Sequence, residues 1–191
     1  MPRRGHSRLD PFVPTGWDIV GKMIDFADVE ESSVVVDLGS GDGRLAIESN
    51  RSYGARSIGV ELNPILVDIS NRKTRLLGLE GVSFLNADIR MISLEGVTHV
   101  TAYLTSEALK RIEHVLLTAP QEAIIVTHNY PIPGWRPVET LDTWSSSDAR
   151  KHRLYKYIKG VSAPTQKSSN TTQPTLINLK KILNTLNACR A

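Results

Sequence analysis

Val34-Val35-Val36-Asp37-Leu38-Gly39-Ser40-Gly41-Asp42-Gly43-Arg44 is a β-branched run that stops at a cluster of glycines. Such an apolar run, bounded by glycine, reads as a strand buried on both faces. Glycines permit positive φ and let backbone approach a ligand closely. Residues 44–52 then carry helical spacing. Strand, glycine loop and helix in succession open a parallel α/β unit. Sheets of that kind bind ligands beyond the carboxyl ends of their strands.

The chain on either side repeats the alternation. Upstream, Pro11-Phe12-Val13-Pro14-Thr15 is extended, because a residue before proline avoids the helical region. Thr15 is predicted to cap a helix running to Ala27, with Trp17, Val20, Met23, Ile24 and Ala27 on its buried side. Downstream, strands are predicted over 57–61, 82–86, 99–104 and 123–127. Helices are predicted over 64–77, with Pro64 suitably first, and from the fourth strand through Leu117. Segments 138–141 and 152–158 follow as strands with no helical period between them, so they form an antiparallel pair at one edge. The expected fold is α/β: a doubly wound, mostly parallel seven-stranded sheet with an antiparallel edge strand.

The folded domain is expected over residues 1–160. Residues 161–175, rich in Ser, Thr, Gln, Asn and Pro, read as a flexible linker. Leu176, Leu179, Ile182, Leu183 and Leu186 then fall at helical spacing, so 176–188 reads as an amphipathic helical appendage. Its apolar stripe is expected to dock on protein, whether the domain itself, a second copy of the chain or a partner, in preference to an anionic membrane, and a chain ending at Gly160 is expected to stay folded. The tail from 161 carries +4 and residues 1–160 carry −1, which makes the domain itself nearly neutral. A basic tail suits nucleic acid, an anionic surface or an acidic partner, and equally a solvated end. No apolar run reaches 18 residues, so no transmembrane segment is expected. The basic N-terminus has no apolar stretch behind it and does not read as a secretory signal. Cys189 is the single cysteine. That leaves no intrachain disulfide and no support for a zinc site, and it suggests a cytoplasmic location.

Two ligands compete for the glycine loop. A dinucleotide site would use G-x-G-x-x-G with a pyrophosphate at the helix N-terminus. Here the third glycine comes one residue early, and Asp37 and Asp42 flank the loop. Carboxylates repel a pyrophosphate. S-adenosylmethionine carries an ammonium and a sulfonium, which tolerate them, and this ligand is favoured. Gly39, Ser40, Gly41 and Gly43 would form its cradle beside Asp37. Glu61, 24 residues after Asp37 and at the end of the next strand, can accept both ribose hydroxyls. Asp88 is placed for the adenine amino group, with Ile89 beside the ring and Leu62 on its other face. Taken alone, Asp88 is also an ordinary turn residue.

With these residues in view, the chain resembles the class I, seven-strand, Rossmann-like methyltransferases. It is similar, more narrowly, to the small non-SET protein-lysine methyltransferases of archaea and mitochondria. The resemblance covers about residues 9–160. It rests on Val34–Arg44, Pro11-Phe12-Val13-Pro14-Thr15, Gly59-Val60-Glu61-Leu62-Asn63-Pro64, Tyr103-Leu104-Thr105, Thr127-His128 with Gly134-Trp135, and His152-x-Leu154-Tyr155-x-Tyr157. It implies that the proline segment, including Pro14 and Thr15, and the glycine loop enclose S-adenosylmethionine. It also implies a protein substrate with an accessible lysine and an antiparallel last strand. The helix after Tyr103-Leu104 lacks the asparagine and proline of the family pattern. The fourth strand ends Ala102-Tyr103-Leu104-Thr105, without the Asn-Pro-Pro-aromatic signature of enzymes that methylate nucleobase amines.

Tyr103 would stand as an aromatic wall for the acceptor amine, or as a strand tyrosine packed on a helix. His128, on the same rim, would orient substrate, or bond to backbone. Beside a protein-lysine methyltransferase, two functions stay open: methylation of a small molecule or RNA, and a non-catalytic module that binds the donor.

Overall fold

The computed structural model of the chain describes residues 9–164 and 176–179. Val34–Leu38 forms β1, buried along its whole length. Its side chains alternate between two apolar layers, as the pleat requires. Val35 faces α1 (Trp17–Phe26), packing with Ile19, Val20, Met23 and Ile24. Val34, Val36 and Leu38 face the opposite layer, which includes Leu109, Ile112, Val115 and Leu116. β1 therefore lies inside a doubly wound sheet.

After the glycine loop come α2 (Arg44–Tyr53), β2 (Arg56–Glu61), α3 (Pro64–Leu76) and β3 (Val82–Asn86). A 3-10 turn at Ile89–Met91 leads into the short β4 (Ile92–Ser93), then β5 (His99–Ala102). The helix expected through Leu117 breaks at Ile112 into α4 (Ser106–Arg111) and α5 (Glu113–Leu116). β6 (Ile124–His128), β7 (Glu139–Ser145) and β8 (Arg150–Ile158) complete one seven-stranded sheet, ordered β3-β2-β1-β5-β6-β8-β7. Strands β3, β2, β1, β5 and β6 pair in parallel. β8 pairs antiparallel with both β6 and β7. The antiparallel hairpin expected at the edge is present, and its reversed strand sits one place in from the outermost strand. The segment between β6 and β7 carries the chain past the vacant position, and the turn at 146–149 brings it back to fill it.

Two expectations about α1 are corrected. Its N-cap is Gly16, with no side-chain cap, and Thr15 is instead buried against Arg44, whose guanidinium donates to the Thr15 carbonyl. Trp17 is 53 % exposed rather than buried, and the Arg44 guanidinium lies 5.2 Å from its ring centroid. Trp17 is the first residue of the helix and sits at its rim, where the cation–π contact with Arg44 holds it.

The tail differs as well. Ile177–Asn178 is a strand, β9, that pairs in parallel with β4, where the first turn of a helix was expected from Leu176. Leu179 is fully buried in the larger core layer. Tertiary pairing with a free strand edge has overridden the helical spacing there. The linker residues 165–175 and residues 180–188 of the expected helix lie outside the described residues. Among the described residues, no helix is long and apolar enough to cross a membrane.

Candidate active site

A cavity of about 870 Å³, counting the space open to solvent, lies at the carboxyl ends of β1, β2 and β5. The glycine loop forms its floor. Gly39 and Ser40 donate their backbone N–H groups to the Val60 carbonyl at 2.9 and 3.0 Å, which ties the loop to β2. Gly41 has φ +54, and a Cβ there would collide with the ring of Phe12. The N-terminal segment therefore crosses directly over the loop. Asp10 fastens it, accepting hydrogen bonds from the Thr105 backbone N–H at 2.7 Å and from Thr105 Oγ1 at 2.9 Å. Leu9–Thr15 thus closes the cavity as a strap, held at one end by Asp10 and at the other by Arg44.

The carboxylates around the loop occupy three distinct environments. Asp37 is 3 % exposed and accepts one hydrogen bond from Thr101 Oγ1 at 2.8 Å. Burial pushes its carboxyl up to about 7, against the pull of the Thr101 bond and with help from the charges of Glu61 and Asp42. Glu61 accepts from the Gly41 N–H at 3.0 Å and from the Asn63 N–H at 2.8 Å, so it braces the loop while lining the cavity. Asp42 is already paired. Burial alone would raise its carboxyl, but hydrogen bonds from Arg44 and Lys73 outweigh that and hold it at about 2. Its charge therefore serves the loop and α3, while Asp37 has no cationic partner among the described residues. Ser40 Oγ is buried and has no hydrogen-bond partner among the described residues. An uncompensated buried carboxylate and an orphaned hydroxyl in one cavity fit a ligand that brings a cation and polar groups.

Of the residues expected at the donor site, Pro14, Thr15, Asp37, Gly39, Ser40, Gly41, Glu61, Leu62, Asp88 and Ile89 all line the cavity, as does Tyr103. Gly43 does not. It has φ +82 and starts α2, and a Cβ there would meet the Phe84 ring and Ser70. Its absent side chain serves helix–strand packing and not a ligand. The Asp88 carboxylate caps the 3-10 turn and is ion-paired with Arg90, a partnership not evident from spacing alone. His128 does not line the cavity either. It lies behind Tyr103, with ring centroids 4.1 Å apart, and is 1 % exposed. Its Nε2 is 2.8 Å from His152 Nδ1 and not bonded to backbone. Tyr130, 40 % exposed, stacks near Tyr103 at 6.4 Å and extends the aromatic surface outward. Sequence reasoning missed Asp10, Phe12 and Tyr130. The Pro11–Thr15 signal already marked the strap and pointed at the first two.

Comparison with known proteins agrees with this geometry. The family model described as the ANTKMT methyltransferase domain matches residues 37–139. A protein-lysine N-methyltransferase of Saccharolobus islandicus (strain REY15A) is 28 % identical over 157 residues, covering 78 % of this chain and 94 % of the relative. Among solved structures, an RNA methyltransferase from Salinibacter ruber in complex with S-adenosyl-L-homocysteine superposes with a TM-score of 0.74 at 29 % identity. That match covers 82 % of this chain and all of the other. TrmN from Thermus thermophilus shares the fold, with a TM-score of 0.64 at 16 % identity over 75 % of this chain and 48 % of its own.

Proposed function

Since this chain belongs to the ANTKMT methyltransferase domain family and is an S-adenosylmethionine-dependent methyltransferase, we propose that its acceptor is the ε-amino group of a protein lysine. The observation that carries the proposal is the cation-seeking cavity ending at Tyr103, read together with the relative named as a protein-lysine N-methyltransferase. When bound, the donor supplies an electrophilic methyl carbon on a sulfonium. In this reading Asp37 holds the donor's ammonium, Glu61 its ribose hydroxyls, and Leu62, Asp88 and Ile89 its adenine. The Leu9–Thr15 strap excludes water above them.

The chain's further task is to deliver a neutral nitrogen in line with the methyl group. A lysine has a reference pKa of about 10.4, so neutrality near pH 7.4 requires roughly 4 kcal/mol of differential stabilisation. Desolvation against the aromatic rings of Tyr103 and Tyr130 supplies part of this, and the nearby positive charge of the donor site supplies more. The same rings attract the cationic product and the sulfonium through their faces. No strong base is needed.

RNA is the second reading, favoured by the likeness to the Salinibacter ruber protein, which is an RNA methyltransferase. Against it stands the end of β5, Ala102-Tyr103-Leu104-Thr105, which lacks the Asn-Pro-Pro-aromatic signature of nucleobase amine methylation. Incubation with methyl-labelled donor and a mixed lysate separates the two. Label in protein, recovered as methyl-lysine by mass spectrometry, is expected, and label confined to RNA or metabolites overturns the lysine reading. A cytoplasmic setting belongs to the same proposal and rests on the single cysteine.

A further inference from the structure

The turn assigned to the adenine is continuous with a strand that the tail of the chain completes. Asp88 and Ile89 line the cavity, and Ile89–Met91 runs without a break into β4. β4 stands outside the seven-stranded sheet and, among the described residues, pairs only with β9. The pairing is parallel, with Ile92 opposite Ile177 and Ser93 opposite Asn178. Side chains fasten it as well. Asn178 Nδ2 donates to Glu95 Oε2 at 3.0 Å, and Leu179 is fully buried in the apolar layer that also takes Ile89, Ile92 and Leu94.

The turn makes some of its supports itself and borrows the rest. Its own are close at hand. Asp88 accepts from the Arg90 backbone N–H at 2.9 Å and is ion-paired with the Arg90 side chain, and the Met91 N–H donates to the Asp88 carbonyl at 2.9 Å. These bonds fix the shape of the turn and not its place against the cavity. Place comes from elsewhere in the fold. His114 Nε2 lies 3.0 Å from the Arg90 carbonyl, and the Leu94 N–H donates to Thr118 Oγ1 at 2.8 Å. The pairing of β4 with β9 adds to these. A strand of two residues cannot order itself, and its backbone N–H and C=O groups must find partners or water. β9 supplies partners, and Leu179 fills the shared apolar layer, into which Ile89 and Ile92 would otherwise relax.

We propose that Ile177, Asn178 and Leu179 are positioning residues for the donor site. Docked on β4, they hold the turn where the Asp88 carboxylate accepts the adenine amino group and Ile89 packs on the ring. The tail acts on donor affinity from outside the cavity, since none of the three lines it. The effect is reciprocal: whatever the docked tail adds to the hold on adenine, bound adenine adds to the docking of the tail. The inference rests on the assignment of the adenine to Leu62, Asp88 and Ile89, and it gives residues well beyond Gly160 a part in binding the methyl donor.

Calorimetry on the full chain tests it, with S-adenosylhomocysteine and an analogue carrying unsubstituted purine in place of adenine. The unaltered protein should prefer the adenine ligand roughly tenfold, the effect of a hydrogen bond to a charged group. Leu179→Ala should cut that preference by roughly threefold or more, part of the same bond. Leu179→Met, which keeps the layer filled, should restore it. A merely structural loss would weaken both ligands alike, so a preference that Leu179→Ala leaves intact overturns the proposal while the adenine assignment stands. Equal binding of the two ligands by the unaltered protein overturns the adenine assignment, and the proposal with it. Amide hydrogen exchange needs no substitution and decides the matter if Leu179→Ala does not fold. Residues 177–179 should exchange several-fold more slowly with S-adenosylhomocysteine bound. Exchange that is unchanged there, while the glycine loop becomes protected, also overturns the proposal.

Discussion

Asp37, as the proposed partner of the donor's ammonium, makes donor binding depend on pH. In the ligand-free protein its carboxyl titrates at about 7, because burial outweighs the single hydrogen bond from Thr101. Raising it from 3.8 corresponds to about 4 kcal/mol against ionisation, at 1.36 kcal/mol per unit. A cation bound beside it favours the charged form, so binding below pH 7 must expel the proton. About 0.9 proton should leave at pH 6, and donor affinity should fall roughly fivefold from pH 7 to 6 and roughly ninefold from pH 6 to 5. Calorimetry in two buffers of different ionisation enthalpy counts the protons directly. Asp37→Asn should abolish both the release and the slope. Stability follows the same linkage with its own sign. The folded state binds this proton more tightly than the unfolded chain, so the stability it contributes is present at low pH and is lost as pH rises from about 4 to 7. Asp37→Asn should therefore raise the ligand-free Tm at pH 8 and change it little at pH 4. Donor affinity flat from pH 5 to 7, with no proton released, would show that Asp37 does not meet the donor's charge.

Three further outcomes are expected. Asp10→Ala removes two hydrogen bonds to Thr105 that fasten the strap; at about 1.5 kcal/mol or more for bonds to a charged group, stopped-flow release of the donor should quicken by at least tenfold, and an unchanged rate would mean that the strap does not gate the cavity. Tyr103→Ala should lower kcat more than it weakens donor binding, and equal losses would reduce Tyr103 to a packing residue. Truncation after Gly160 removes Leu179 from the core and β9 from β4; urea unfolding should show a loss of roughly 2–5 kcal/mol, the range for emptying a buried leucine site, and full retention of stability would mean that residues 176–179 contribute nothing to the domain.

The parts of the fold legible in the sequence are those set by neighbours along the chain. The strands at 34–38 and 82–86 fall where expected, because an apolar run between turn residues is a local signal. The glycine loop is equally local, since positive φ at Gly39, Gly41 and Gly43 needs only the glycines themselves. What glycine does at each position is not local. Gly41 yields to Phe12 from the strap, and Gly43 yields to Phe84 on β3, 41 positions away, so one of two identical residues lines the cavity and the other only packs.

The same distinction separates the legible part of the site from the hidden part. Asp37 and Glu61 could be named because each ends a strand next to the loop that it serves. Asp10 and Thr105 are 95 positions apart and meet only because the strap folds back over β5. Asp148, His152 and His128 become a chain only when β8 inserts between β6 and β7, the sheet order that spacing alone does not reveal. The Ile177–Asn178 strand follows the same logic, because apolar residues at helical spacing also fit a strand edge when one is open beside them. A local reading therefore reaches the donor half of this cavity, which is built from consecutive elements. The surface behind Tyr103 is built from β5, β6 and β8, which are joined across the fold. The proposed acceptor would meet the cavity at Tyr103, so the Tyr103→Ala experiment bears on the substrate more directly than any on the glycine loop.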